Sequence, residues 1–215
     1  DQMVQLSRAQ IGAFSTAQIS ALSTEQLTAV EDADIPGWNQ SQIRALTSSQ
    51  VQALTATQIN ALSNLQISAI ETQDLQSLTT DNVVNLSSSQ LRALTQAQIR
   101  ALTTDQVFSI ETQDLVAMSA GQIMALTSSQ FSALDVSQVQ ALQTSQIKAI
   151  EREDLAALTS TQVQTLSSNQ LNALSAQQIR GLTTSFIATL LSEQLQSLTV
   201  QNIAYLQPSQ WAAIT

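Results

Sequence analysis

From Ser7 onward the apolar side chains return at two fixed places in every eight residues, as in residues 45–66, ALTSSQVQALTATQINALSNLQ. With Ser7 as position one, 26 consecutive octads run to Ile214 without insertion or deletion, and positions five and eight are apolar in all 26. Eight fits neither the 3.6-residue period of a helix nor the two-residue period of a strand. In one continuous helix the apolar stripe would rotate by about 80° per octad and soon encircle the axis, so no face could be buried. Each octad must therefore contain a break. Position one is Ser or Thr in 17 octads and position four is Gln in 19. That pair spells the capping box, in which the hydroxyl accepts from the backbone N–H three residues on and the Gln accepts from the N–H of the capping residue. The pattern predicts one helix per octad, each about six residues long and too short to stand alone in water.

A longer period overlies the octad. Glu31, Glu71, Glu111 and Glu151 replace the capping hydroxyl, and Asp34, Asp74, Asp114 and Asp154 replace the Gln of the same octads, at a spacing of 40 residues. This spacing predicts a turn of five helices, with each acidic octad stacked on the one before. A helix plus a junction makes an edge of roughly 11 Å, and five such edges close over side chains reaching about 5 to 6 Å inward. The expected fold is an all-α solenoid of very short capped helices, about five per turn, around a filled apolar core. Position seven, mostly Ala, allows close packing between turns. Pro36, within EDADIPGW (31–38), falls mid-helix, so that octad is expected to be irregular, with Trp38 in the usual Leu slot. No glycine takes position one, so the corners must turn without left-handed glycine caps. The 26 octads form one tandem-repeat domain over 1–215, and Asp1-Gln2-Met3 enters in mid-octad, as in a piece of a longer protein.

Charge supports the helix starts. All 16 acidic residues fall at positions one to four, where the helix dipole favours them. Arg44, Arg92, Arg100, Lys148 and Arg180 sit at position six near the helix ends; only Arg8 and Arg152, at position two, depart. The net charge of −9 argues against nucleic acid, anionic membrane surfaces and phosphate ligands. His and Cys are both absent. Imidazole bases, thiolate nucleophiles, disulfides and the usual metal ligands are thereby removed. No catalytic, cofactor-binding or metal-ligating residue is singled out, and no apolar run is long enough to span a membrane.

Three features invite a sharper chemistry. The Glu/Asp pairs at 31/34, 71/74, 111/114 and 151/154 would form rows if acidic octads stack, and oxygen clusters can hold calcium, although no calcium-loop spacing is present. Asn39-Gln40-Ser41 and Asn85-Leu86-Ser87 match the glycosylation sequon. Late in the chain Phe186 replaces the Gln, Leu191 the cap, and Tyr205 and Trp211 add bulk, as an aromatic binding patch or, preferably, an end cap or contact with a following domain.

At the level of ALTTDQV, ALSTEQL and ALTSSQV the chain resembles the ALTTAQIAALT-type repeats of long bacterial proteins. These are often large, acidic, cysteine-free secreted or surface proteins assigned to adhesion or haem utilisation. The resemblance covers nearly the whole chain and implies a bacterial, extracellular setting, with no ligand residues to carry over. The expected function is a non-catalytic structural and interaction repeat, the stalk or adhesive surface of a larger protein. It would meet a protein or cell-surface partner and make end-to-end contact with adjacent repeats. The alternatives are a protein-binding scaffold, intracellular or injected into a host, and a calcium-responsive extracellular module.

Overall fold

In the computed structural model, which describes residues 2–214, the chain is an all-α solenoid of short helices, without strands among those residues. Asp1 and Thr215 lie outside the described residues, and with Asp1 the point at which the chain enters its octad. Each octad carries one helix of three to six residues, as in Ser48–Ala53 and Ala56–Ala61. The corner between two helices is built from two extended residues. Leu54 (φ −55°, ψ 132°) ends one helix and Thr55 (φ −73°, ψ 160°) caps the next. No described residue has positive φ, so the turns are made without left-handed glycine, as the sequence predicts. The irregular octad is also as expected: 31–38 forms a 3-10 turn at Ile35–Gly37, and Trp38 is buried and donates its indole N–H to the carbonyl of Ile11 at 3.2 Å.

The chain forms two compact units, Asp1–Ile110 and Glu111–Thr215. In both, positions five and eight face inward, with Trp211 of the last octad as an exception: Ile43, Val51 and Ile59 at position five and Leu46 and Leu54 at position eight of the first unit, and Leu115, Phe131 and Leu155 at position five and Leu126 and Leu134 at position eight of the second, are at most 4% exposed. Position seven is mostly half-buried, as close approach between turns requires.

The turn is shorter than five helices. Within the first unit the side-chain bonds between turns join residues 25 to 31 apart: Gln40 to Leu65, Ser48 to Asp74, and Gln58 to both Val30 and Leu27. In the second unit the same separations recur, with Gln164 to Thr189, Ser128 to Asp154, and Gln162 to Leu134 and Phe131. One turn therefore takes between three and four octads. The spacing of 40 marks which octads are unusual along the chain. How sharply the chain turns is set by the backbone of the corner, which the identity of the capping residue does not reveal. Consequently Glu31 and Glu71 are out of vertical register in the first unit, and so are Glu111 and Glu151 in the second.

Candidate functional site

The position-four Gln is the side chain that holds consecutive turns together. Its reach is long enough to serve its own helix and an earlier one at once. In the octad starting at Thr55, the backbone N–H of Gln58 donates to the Thr55 hydroxyl at 3.2 Å, and Gln58 Oε1 accepts from the Thr55 N–H at 3.1 Å. The capping box is thus closed. The same amide then turns its Nε2 to the carbonyls of Leu27 and Val30, both at 2.9 Å, at the end of a helix one turn earlier. Gln50, Gln66, Gln90, Gln98 and Gln106 repeat this in the first unit, and Gln146, Gln162, Gln170, Gln178, Gln194 and Gln210 in the second. These amides are almost completely buried, and among the described residues no buried side-chain nitrogen or oxygen lacks a partner. Burial without those partners would cost each amide several kcal/mol, on the order of 2–7. By contrast Gln10, Gln18 and Gln26, with no described turn before them, are exposed and make only the capping bonds.

The acidic octads drop this device. Glu71, Glu111 and Glu151 make no side-chain capping bond, so the orphan N–H of the third helical residue bonds the capping carbonyl instead, as in Asp74 N–H to Glu71 O at 3.0 Å. The expectation that Glu merely replaces the capping Thr is corrected to that extent: the carboxylate is longer than the hydroxyl and points away, Glu111 accepting from Gln113 Nε2 at 2.7 Å. Asp74 and Asp154 are buried, and each accepts from a serine hydroxyl at position two of an earlier octad, Ser48 at 2.5 Å and Ser128 at 2.6 Å. Among the described residues no group of three or more acidic side chains lies close enough to hold a metal ion.

The remaining sequence features take ordinary places. Asn39 caps the helix Gln40–Arg44, its Oδ1 accepting from the N–H groups of Ser41 and Gln42, and the amide of Asn85 donates to the carbonyl of Asp81 at 2.7 Å. Phe186 is buried and joins the core near Leu171 and Leu182, while Trp211 stays half-exposed. The late aromatics therefore do not form one surface patch. No helix among the described residues is long and apolar enough to cross a membrane.

The two misplaced arginines have a structural cause that the sequence held in plain sight. Position seven is Gly only in Gly37 and Gly181, each lying 29 residues after an arginine at position two, Arg8 and Arg152. A Cβ at Gly181 would stand 1.9 Å from Arg152 Cδ, and one at Gly37 would stand 3.0 Å from Arg8 Cγ. The glycine makes room for the arginine stem to lie across the following turn. Arg152 also pairs with Glu153 at 2.8 Å. Glu153's own backbone bond and then the arginine hold the Glu153 carboxyl below its ordinary value. Glu25 is likewise lowered, chiefly by its backbone bond and then by the Ser23 hydroxyl.

Short capped helices, a repeated core and an interlocking buried amide define a tandem-repeat α-solenoid. The sequence profile of the ALTTAQ repeat matches residues 67–104, 107–144 and 147–184, more than half of the chain. The chain belongs to the ALTTAQ repeat family. No curated protein matches it. The matched segments recur at the 40-residue spacing of the acidic octads, so the family repeat is a unit of sequence and is longer than one structural turn.

Proposed function

We propose that this chain is a non-catalytic stalk or adhesive surface within a larger bacterial protein displayed outside the cell, its 26 octads serving as one repeat domain. The observation that carries this reading is the glutamine ladder. Octads that carry the position-four Gln cap themselves and, where a turn precedes them, bond it with the same side chain, so the fold can be extended by further copies of the same octad. Enzymes need at least one place where that regularity is broken by convergent reactive groups, and a chain without His or Cys has few such groups to converge. Absence of cysteine also suits a protein exported without disulfides. Its partner would be a protein or a cell surface, met through the polar positions two, three and six.

The test is to insert second and third copies of residues 71–110 after Ile110. A spacer keeps its helicity per residue and melts no earlier, while its frictional ratio in sedimentation rises with each copy. Loss of helicity, or an unchanged frictional ratio, would overturn the stalk reading. Labelling of intact source cells by an antibody to this chain tests the surface placement, which fails if labelling requires lysis.

A further inference from the structure

All three cations of the second unit, Lys148, Arg152 and Arg180, line one surface groove of about 900 Å³, together with Glu151, Glu153 and Gln177. Seven acidic residues share that unit, so this convergence runs against its overall charge. Two of the three cations are held in place by a neighbour. The stem of Arg152 occupies the space over Gly181 that any larger residue would fill. The guanidinium of Arg180 sits over the ring of Tyr205, 5.6 Å from its centroid, which orients the cation without neutralising it. Local helix rules are broken to achieve this. Arg152 opens its helix at the positive end of the dipole, and Gly181 ends the helix Ala176–Gly181 at a position that is Ala in most octads. Local rules broken together, in register, are expected where a site is being built. The corresponding octads of the first unit carry Ser68, Thr72 and Ala101 in place of Lys148, Arg152 and Gly181, keeping only Arg100, and the surface there is divided into a groove of about 350 Å³ lined by Arg44, Ser68 and Glu71 and another of about 470 Å³ lined by Thr72 and Arg100. The two acids in the larger groove do not close it: Glu151 is exposed, and Glu153, whose one oxygen accepts from both Nε and Nη2 of Arg152, forms a pair with more than half of each side chain facing water, an ion pair of the weak exposed kind that a ligand must displace.

We propose that this groove binds a small, multiply charged oxyanion, with Arg152 and Arg180 as planar bidentate donors and Lys148 as a point charge. The shared chemistry is a cluster of anionic oxygens, supplied either by carboxylates or by phosphates. Whole-chain charge alone disfavours phosphate, and the groove is the local exception. Citrate and pyrophosphate are titrated separately into the 215-residue chain at low salt, followed by calorimetry and by the arginine Nε–H resonances. Saturable one-to-one binding is expected, with the Arg152 and Arg180 signals moving. Preference for citrate assigns a carboxylate ligand, and preference for pyrophosphate a phosphate ligand. Arg180→Gln, and Lys148→Gln combined with Arg152→Gln, should each weaken binding about tenfold or more, whereas Arg92→Gln in the first unit should leave it unchanged. Gly181→Ala displaces Arg152 and should weaken binding while helicity is retained. The proposal is overturned if neither anion saturates at millimolar concentration, or if the Lys148 and Arg variants, with unchanged circular dichroism, bind as the parent does.

Discussion

Gln58 and Gln18 occupy the same position of the same octad and differ only in what lies beyond their amide nitrogen. Gln18 accepts from Ser15 N–H at 2.8 Å and is exposed; Gln58 does the same work and also satisfies two buried carbonyls of the preceding turn. Replacing Gln18 by Ala should therefore cost about 0.5–1 kcal/mol, the worth of one capping bond. Gln58→Ala also removes the donor to the Val30 carbonyl and leaves the Leu27 carbonyl with the Val30 N–H alone. Its cost should reach about 2–5 kcal/mol by the usual penalty for unsatisfied buried groups. Urea melts of the two variants decide the matter, and equal losses would mean that Gln acts only as a cap. The sequence alone could not separate these roles, because both octads satisfy the same capping motif, Ser15 with Gln18 and Thr55 with Gln58.

At the scale of one element, the acidic octads are the weakest links of the capping scheme. The helix Thr72–Leu75 is only four residues long and starts at Glu71 without a side-chain cap. Converting Glu71→Thr together with Asp74→Gln restores the template. It also places a donor opposite the carbonyls of Ile43 and Leu46, which lie 31 and 28 residues earlier. The gain should be about 1–2 kcal/mol, reduced by loss of the bond from Ser48 to Asp74, and should appear as a higher melting temperature. Unchanged or lower stability would show that the serine–aspartate link matches the ladder it replaces. Helix starts were legible here because capping is local chemistry, confined to four successive residues. Ser48 as the partner of Asp74 was not, since that contact depends on the length of a turn.

At the scale of the whole chain, the ladder makes octads interchangeable and fractions of octads not. Removing residues 55–62 moves Gln66 onto the carbonyls of Leu27 and Val30 and Gln90 onto those of Val51 and Leu54, which present the same geometry, while Gln98 and Gln106 keep their partners. Only special pairs change, Asp74 then meeting Gln40 in place of Ser48. A folded chain with one cooperative transition and a loss of about 1 kcal/mol is expected by circular dichroism. Removing only residues 55–58 puts the octads that follow half an octad out of step with the turn before them, Gln66 included, and should abolish the transition of that unit. The 40-residue period suggests otherwise, since a turn of five octads would make the loss of a single octad costly and the loss of residues 87–126 harmless. Similar melting of the 55–62 and 87–126 deletions would support the shorter turn.

Most of what lies within eight residues was legible in the sequence, the uncapped starts at Glu71, Glu111 and Glu151 being the exception. It specified where each helix starts, the inward direction of positions five and eight, the irregular octad at Pro36 and the turning of corners without left-handed residues. These follow from capping, periodicity and φ restrictions, which act between near neighbours. The number of octads in a turn needed the three-dimensional fold, because it follows from the backbone angle at a corner of two extended residues, which many residue types adopt and which leaves no residue-level signature. That one quantity then decided the rest. It separated the acidic pairs that a five-octad turn would have stacked, gave each Gln its second set of partners, laid Arg152 across Gly181, and gathered Lys148, Arg152 and Arg180 around one groove.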